Sequence, residues 1–329
     1  MSERRFTIAV TGMGALIGQG IARSLAQGGR ARVIGVDRQN SPLGASLCDA
    51  FAAKPDCAET DPAYLAFWRD LITRHRVDLI MPGISIDMYF LDAHRQAFAD
   101  LGVQLVLNTP ELIAVTRDKF DFMAAYAPVG LPIIPSARPD NWADAVQQLG
   151  PPPLLLKPRR GEGSQGMGLL QDAADFEYWT RQAGDNWLVQ RRVGGDDQEY
   201  TLGTFGFGDG RALDPIIFRR RLTRAGHTGM AEVVDNDILT DATRKIAAHF
   251  KPIGPTNLQF RIEGDKPFLL EINPRFSSSC SLRSAFGYNE AEMCIDCYLL
   301  GKRPDMPQIR RGVGQRYNED FISYASDHF

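Results

Sequence analysis

The chain has 329 residues, with 37 Lys plus Arg against 40 Asp plus Glu. Its formal net charge is −3, its pI near 6.0 and its mean hydropathy −0.23. That length supports two or three packed units, and the charge balance argues against a general nucleic-acid binder, which carries a basic excess. No apolar run reaches the length of a membrane helix, and MSERRFTIAVTG runs straight into a strand-like segment, so neither a membrane span nor a signal peptide is expected. Five cysteines, at 48, 57, 280, 294 and 297, are too few and too irregular for a disulfide framework, which points to a reducing compartment and a cytoplasmic location. Cys294 and Cys297 form a CxxC that reads either as a metal or redox pair or as two buried thiols.

The first third alternates strand and helix. Phe6–Val10, Val33–Asp37, Asp78–Met81 and Val103–Leu107 read as strands, and Ile17–Gln27, Pro62–Arg74 and Asp87–Ala99 as helices. Such alternation implies a parallel sheet covered on both faces. Thr109-Pro110-Glu111 opens a helix towards Lys119. After a proline-rich passage come a helix at Trp142–Leu149, a strand at Leu154–Leu156, a glycine-dense loop, a helix at Phe176–Ala183 and a strand at Trp187–Gln190. The remainder is strand-rich, with helices at Asp241–Phe250 and Asn289–Leu300. The fold class expected is α/β and α+β.

Between the first strand and helix, Gly12, Gly14, Gly18 and Gly20 approximate a dinucleotide fingerprint, with Asp37 ending the next strand. The same glycines equally make a tight turn in a Rossmann-like unit that binds no NAD. In that case the turn can line a substrate pocket with Pro82, Gly83 and Asp87.

A second nucleotide signal lies in the middle of the chain. Lys157 ends an apolar strand and precedes a loop with Gly161, Gly163, Gly166 and Gly168. Loop amides and a lysine suit phosphate oxygens, though no GK[ST] ends the loop as in a Walker A motif. Further on, Gly254–Ile262 and Pro267–Phe276 read as two strands joined by a turn at Glu263–Lys266. Glu271, Asn273 and Arg275 are two apart and share a face, and Gln259 can lie opposite. Carboxylate and amide oxygens converging there are hard ligands for magnesium, and Arg275 can clamp an anion. Polar residues on one face of a strand also occur merely as a solvated face. The basic run Arg219–Arg224 reads as a carboxylate clamp or a solvated strand.

These residues resemble the ATP-grasp superfamily, in the version found in the synthetase unit of the carbamoyl-phosphate synthase large subunit. The resemblance implies an ATP-grasp fold with an N-terminal Rossmann-like domain, and it covers roughly residues 5–305. It implies domains at 1–115, 116–188 (a lid) and 189–329. Arg117-Asp118-Lys119 resembles the basic opening of the grasp module, and Lys157 with Gly163, Ser164, Gln165 and Gly166 the phosphate-covering loop. Gln190, Arg192 and Val193 resemble the adenine hinge, Glu199 the ribose carboxylate, and Gly226-His227-Thr228-Gly229 a further piece of the nucleotide pocket. Gln259, Glu271 and Asn273 resemble the metal ligands, with Arg275 and Lys157 in catalytic roles. Two departures stand out: the hinge position acidic in the family is Gln190, and Asp196-Asp197 look inserted. The chain has one synthetase unit where the large subunit has two, and no glutaminase domain.

The implied activity is an ADP-forming carboxylate–amine ligase using ATP and Mg2+, or Mn2+ in its place, through an acyl phosphate. Its expected partners are a small carboxylate, such as an amino acid, and an amine, with a homodimer left open and neither nucleic acid nor membrane involved. Rival readings are a bicarbonate- or formate-activating relative, a non-catalytic nucleotide sensor and an NAD oxidoreductase.

Overall fold

The computed structural model describes residues 5–39, 41–161, 166–223, 226–317 and 319–323. The alternating first third builds β1 (Phe6–Thr11), α1 (Leu16–Gly28), β2 (Ala31–Asp37), α2 (Pro42–Ser46), β3 (Ala50–Ala53), α3 (Pro62–His75), β4 (Leu79–Met81), α4 (Ser85–Ala93), α5 (Arg95–Ala99), β5 (Gln104–Leu105) and α6 (Pro110–Val115). The strands pair in parallel in the order β3-β2-β1-β4-β5. The period of two divides β1 between two cores: Ile8 and Val10 pack with Ile21 and Leu25 of α1, and Ala9 with Tyr64 and Trp68 of α3.

Three expectations need correction in this region. Strand β3 is only four residues, AFAA, the first three partly buried and Ala53 exposed, too short to show a periodicity. The helix expected at Asp87–Ala99 breaks at His94, whose backbone (φ −119, ψ 20) leaves the helical region. The helix expected to run on to Lys119 stops at Val115, and a new one starts where Asp118 accepts hydrogen bonds from the amides of Phe120 and Asp121.

That new helix, α7 (Lys119–Tyr126), leads into β6 (Ser136–Ala137), α8 (Trp142–Leu149), β7 (Leu154–Lys157), β8 (Gly168–Leu170), α9 (Ala173–Ala183) and β9 (Leu188–Arg191). These strands form an antiparallel sheet in the order β6-β9-β7-β8, its core made by Leu154, Leu156, Leu170 and Val189 against Ala145, Leu149 and Phe176.

The last part comprises β10 (Glu199–Phe207), β11 (Ile216–Leu222), β12 (Thr228–Val233), α10 (Asp237–Phe250), β13 (Ile253–Glu263), β14 (Lys266–Asn273), α11 (Cys280–Ala285), α12 (Glu290–Cys294) and β15 (Val313–Gln315). Helix α10 starts earlier than Asp241 because Asn236 caps it, and the helix expected through Leu300 ends in a π-helical turn over Ile295–Leu299. The six strands are antiparallel, in the order β14-β13-β10-β11-β12-β15. One face buries Leu202, Leu258, Phe260 and Ile272 under Leu239, Ala242 and Ile246 of α10. The opposite face buries Phe205, Phe218, Ala231 and Val233 in the core shared with α1 and α12, and carries the polar side chains of the cleft on the rest of its surface.

The parallel sheet is docked on this last part through α1. A Cβ at Gly20 would stand 2.6 Å from Cys280 Sγ, so this glycine brings α1 close against α11. Arg30 pairs with Glu292 at 2.5 Å and Asp296 at 2.6 Å, and Asn108 Nδ2 donates to Thr256 Oγ1 at 2.9 Å.

Candidate active site

A cleft of about 1000 Å³ lies where the three sheets meet. Of the described residues expected in the site, Lys119, Lys157, Gln190, Arg192, Val193, Glu199, His227, Gln259, Glu271, Asn273 and Arg275 all line it, and Gly166 does not. Gly163, Ser164 and Gln165 lie outside the described residues.

The hairpin β13–β14 sets Gln259 directly opposite Glu271 and Asn257 opposite Asn273, as the residue spacing predicts. A bulge after Gln259 makes Leu269 the partner of Phe260, which keeps Leu269 in the α10 core while Glu271 and Asn273 face the cleft. Asn273 Nδ2 donates to Glu271 Oε1 at 2.9 Å. With its nitrogen so committed, the Asn273 amide oxygen is the end available to a cation. Glu271 and Asn273 thus fit a hard divalent ion by the chemistry of their donors. Gln259 is differently placed: its Oε1 accepts from Arg220 Nη2 at 2.6 Å.

Arg220 comes from the basic run. The period of two along β11 turns Arg219 and Arg221 outward and Arg220 in, where it is 6% exposed. Its Nη2 also donates to Glu199 Oε1 at 2.9 Å. The other Glu199 oxygen accepts two bonds from Arg261, at 3.1 and 2.8 Å. A ribose hydroxyl would have to share a carboxylate that already serves two guanidinium groups. Arg261 reaches on to Asp196 at 3.0 Å, and Asp196 to Arg192 at 2.9 Å. The Arg192 hydrogen bond holds the Asp196 carboxyl below the usual range. The departure at Asp196 therefore closes a chain of charges running from the hinge to the hairpin.

At the hinge, Gln190 donates from Nε2 to Ser136 Oγ at 2.7 Å, across the β6–β9 pair. Val193 is buried with Ile134 and Phe268, so its side chain is core and its backbone borders the cleft. His227 is exposed. Lys119 Nζ donates to the Gly161 carbonyl at 2.8 Å, tying the start of α7 to the start of the glycine loop. Lys157 opens partly to the cleft, yet burial pushes its ammonium down to about 8, with Lys119 and Arg261 adding to that and Glu271 opposing it.

Arg275 bridges to the parallel sheet: its Nε donates to Ser85 Oγ at 2.9 Å and its Nη1 to the Phe276 carbonyl at 3.0 Å. The loops after β1 and β4, where the strand order reverses, border the cleft through Gly14 and Gly83. Open parallel sheets hold ligands at that switch point. The glycine turn itself is close-packed, since a Cβ at Gly18 would sit 2.3 Å from the Gly12 carbonyl and one at Gly83 2.2 Å from that of Thr11. The Gly14 amide donates to Asp37 Oδ2 at 2.7 Å, and the Arg38 amide to Oδ1 at 2.7 Å. A dinucleotide would have to displace that carboxylate from the turn amides and also win the ribose contact from it.

Comparisons with known proteins bear on the fold. Residues 185–321 match a family model described as ATP-grasp in the biosynthetic pathway with Ter operon. The chain carries the ATP-grasp fold. More than nine-tenths of its length superposes on solved structures at low sequence identity, which shows the fold alone. Biotin carboxylase from Campylobacter jejuni, in complex with β-γ-ATP, has a TM-score of 0.73 and 17% identity over 93% of this chain and 74% of that one. N5-carboxyaminoimidazole synthetase from Staphylococcus aureus, complexed with ADP, has a TM-score of 0.72 and 16% identity over 94% and 82%. Among curated relatives, the carbamoyl phosphate synthase large chain of Acidobacterium capsulatum is 27% identical over 192 residues, which is 54% of this chain and 17% of the relative. The arginine-specific large chain of Bacillus subtilis is 26% identical over 214 residues, 58% of this chain and 20% of that one. The ATP-grasp chain described here thus spans at most about a fifth of the curated relatives it matches. Among its described residues no helix is long and apolar enough to cross a membrane, and no three His, Cys, Asp or Glu residues cluster as metal ligands. Cys294 is a free, buried thiol, pushed up by that burial, and Cys297 is free as well.

Proposed function

We propose that this ATP-grasp protein is an ADP-forming ligase that activates a carboxylate as an acyl phosphate and passes it to an amine. The observation that carries the reading is the convergence, in one cleft, of Lys119 and Lys157 on one wall, Glu271 and Asn273 on another, and Arg275 reaching to the switch-point loops. In this reading residues 1–115 supply the acceptor wall, 116–188 the lid and 189–329 the metal-binding face. The names of the curated relatives and structural neighbours, which are carbamoyl phosphate synthases, a biotin carboxylase and a carboxyaminoimidazole synthetase, support ATP-dependent activation of a carboxyl group.

Lys157 and Lys119 hold the β- and γ-phosphates as point charges, and phosphoryl transfer needs little more of a protein than such positioning and charge. Glu271 and Asn273 would hold a magnesium ion, which would supply charge neutralisation to the phosphates. Arg275, fixed by Ser85 and by the Phe276 carbonyl, stands between the phosphates and the switch-point loops. There it steadies the acyl phosphate and the oxyanion that forms when the amine attacks. Leu16, Ile84 and Met88 line that end of the cleft and exclude water from it.

The test is ATP with hydroxylamine and a panel of amino acids and small carboxylates. ADP and a hydroxamate are the expected products for the right acid. AMP and pyrophosphate would overturn the acyl-phosphate reading. ADP release stimulated by bicarbonate alone would select the carboxyphosphate variant that the neighbours' names also support.

A further inference from the structure

We infer that the Arg220 guanidinium is a cation built permanently into the ATP site, standing where phosphoryl-transfer enzymes commonly recruit a second divalent ion. The protein then binds nucleotide with one divalent ion instead of two. The inference rests on the nucleotide reading of the cleft given above.

Three observations carry it. The amide oxygen of Gln259, paired across the hairpin with Glu271 and suited by chemistry to a hard cation, already accepts from Arg220 at 2.6 Å. A cation is thus on that ligand before any metal arrives. Second, Arg220 is surplus as a structural counter-ion. Glu199 takes two hydrogen bonds from Arg261 and is neutralised without it. The guanidinium nevertheless stays on the cleft side of the sheet, with Nη1 3.4 Å from Thr228 Oγ1 and a buried Nε that has no hydrogen-bond partner. Third, the local charge is already met. Glu199 and Glu271 face Arg220, Arg261 and Lys157, so a second divalent ion would enter a site whose carboxylates are outnumbered by cations. Glu271 and Asn273 remain for a single ion.

The geometry also limits what can replace the guanidinium. It spans Glu199, Gln259 and Thr228 at once with a planar fork, which an ammonium cannot do. The neighbouring Arg219 is committed elsewhere, to Glu232 on the exposed side of the strand at 2.5 Å, so the run holds no described substitute.

The experiment counts ions. Wild-type protein with the β,γ-imido analogue of ATP is titrated with Mn2+, free Mn2+ is read by electron paramagnetic resonance, and bound analogue is measured in parallel by equilibrium dialysis. One Mn2+ per bound nucleotide is expected for wild type, and two for Arg220→Gln. Two per bound nucleotide in wild type would overturn the inference alone, as would a count of one in Arg220→Gln with nucleotide still bound. The wild-type count decides the matter even if Arg220→Gln does not fold. Absence of nucleotide binding to wild type would overturn the reading of the cleft, and this inference with it.

Discussion

Lys157 gives the sharpest solution test of the nucleotide site. In the free protein its ammonium sits at about 8, against an ordinary value of 10.5, because burial and the nearby Lys119 outweigh the attraction of Glu271. Polyphosphate beside it stabilises the charged form and restores an ordinary value. Between those two values the complex holds a proton that the free protein lacks. Nucleotide binding therefore takes up a proton, and affinity falls as pH rises through about 8. With 10.5 as the bound value, the loss between pH 7 and pH 9 is about tenfold, and below pH 7 the dependence vanishes. Calorimetry with the imido analogue and magnesium, run at pH 9 in two buffers of different ionisation enthalpy, reads the proton uptake directly. Lys157→Met should bind weakly at every pH and lose the step between pH 7 and 9. Equal affinity of the wild type at the two pH values, or persistence of the step in Lys157→Met, would refute the placement of this lysine against phosphate.

Two further outcomes follow from named contacts. Glu271→Gln preserves volume and the Asn273 contact but removes a carboxylate charge, so circular dichroism should be unchanged while ADP release drops on the order of 10²-fold or more; substantial turnover at saturating magnesium would sink the ligand assignment. Asp87 is fully buried, accepts from Lys54 Nζ at 2.5 and 2.6 Å and from Tyr64 Oη at 3.0 Å, and lies beside the switch-point loop. Asp87→Ala strands a buried ammonium and should cost about 3–5 kcal/mol, a fall in Tm on the order of 10 °C by scanning calorimetry, whereas Lys54→Met with Asp87→Leu should recover most of it. A Tm within a degree or two of wild type in the single variant would show the pair to be solvated.

Periodicity carried most of the fold because the elements it marks bury continuous apolar faces. The strands and helices of β1–α1–β2, α8 and β13 appear at or within two residues of where the sequence puts them, whereas β14 ends at Asn273, three residues short of the expected Phe276. The other failures share one cause. The four-residue β3, the break at His94 and the stop at Val115 are decided by one cap or one backbone angle, and averaging over a window erases such signals. The glycine turn near residue 14 was ambiguous for a different reason. Close packing of Gly18 on Gly12 and of Gly83 on Thr11 demands the same residues that a pyrophosphate would. Only the position of Asp37, already spent on the Gly14 and Arg38 amides, separates the two readings.

The site shows the same division between pattern and partner. Spacing by two was enough to put Glu271 and Asn273 on one face of β14, but Arg275 reaches the cleft from beyond the end of that strand, where its amide donates to the Asn273 carbonyl at 2.8 Å. The sequence reading left the basic run Arg219–Arg224 undivided, although the same spacing holds the signal for Arg220: Phe218 lies in the core, and of three consecutive arginines only Arg220 shares its face. Spacing could not give the partners that decide what each group does. Gln259 reads as a metal ligand until Arg220 is seen on its oxygen, and Glu199 as a free ribose acceptor until Arg261 and Arg220 are seen to hold both its oxygens. Asp196, which looks like an insertion that disturbs the hinge, proves to join Arg192 to Arg261. Its removal should therefore loosen Arg261 on Glu199 and, through Glu199, the seat of Arg220. Arg192 is thereby coupled to Arg220 and Gln259 by five consecutive contacts. The order Arg192, Asp196, Arg261, Glu199, Arg220, Gln259 alternates cation and acceptor without a break, from an exposed pair at Arg192 and Asp196 to the buried Arg220, so a change of charge at the surface is passed inward contact by contact.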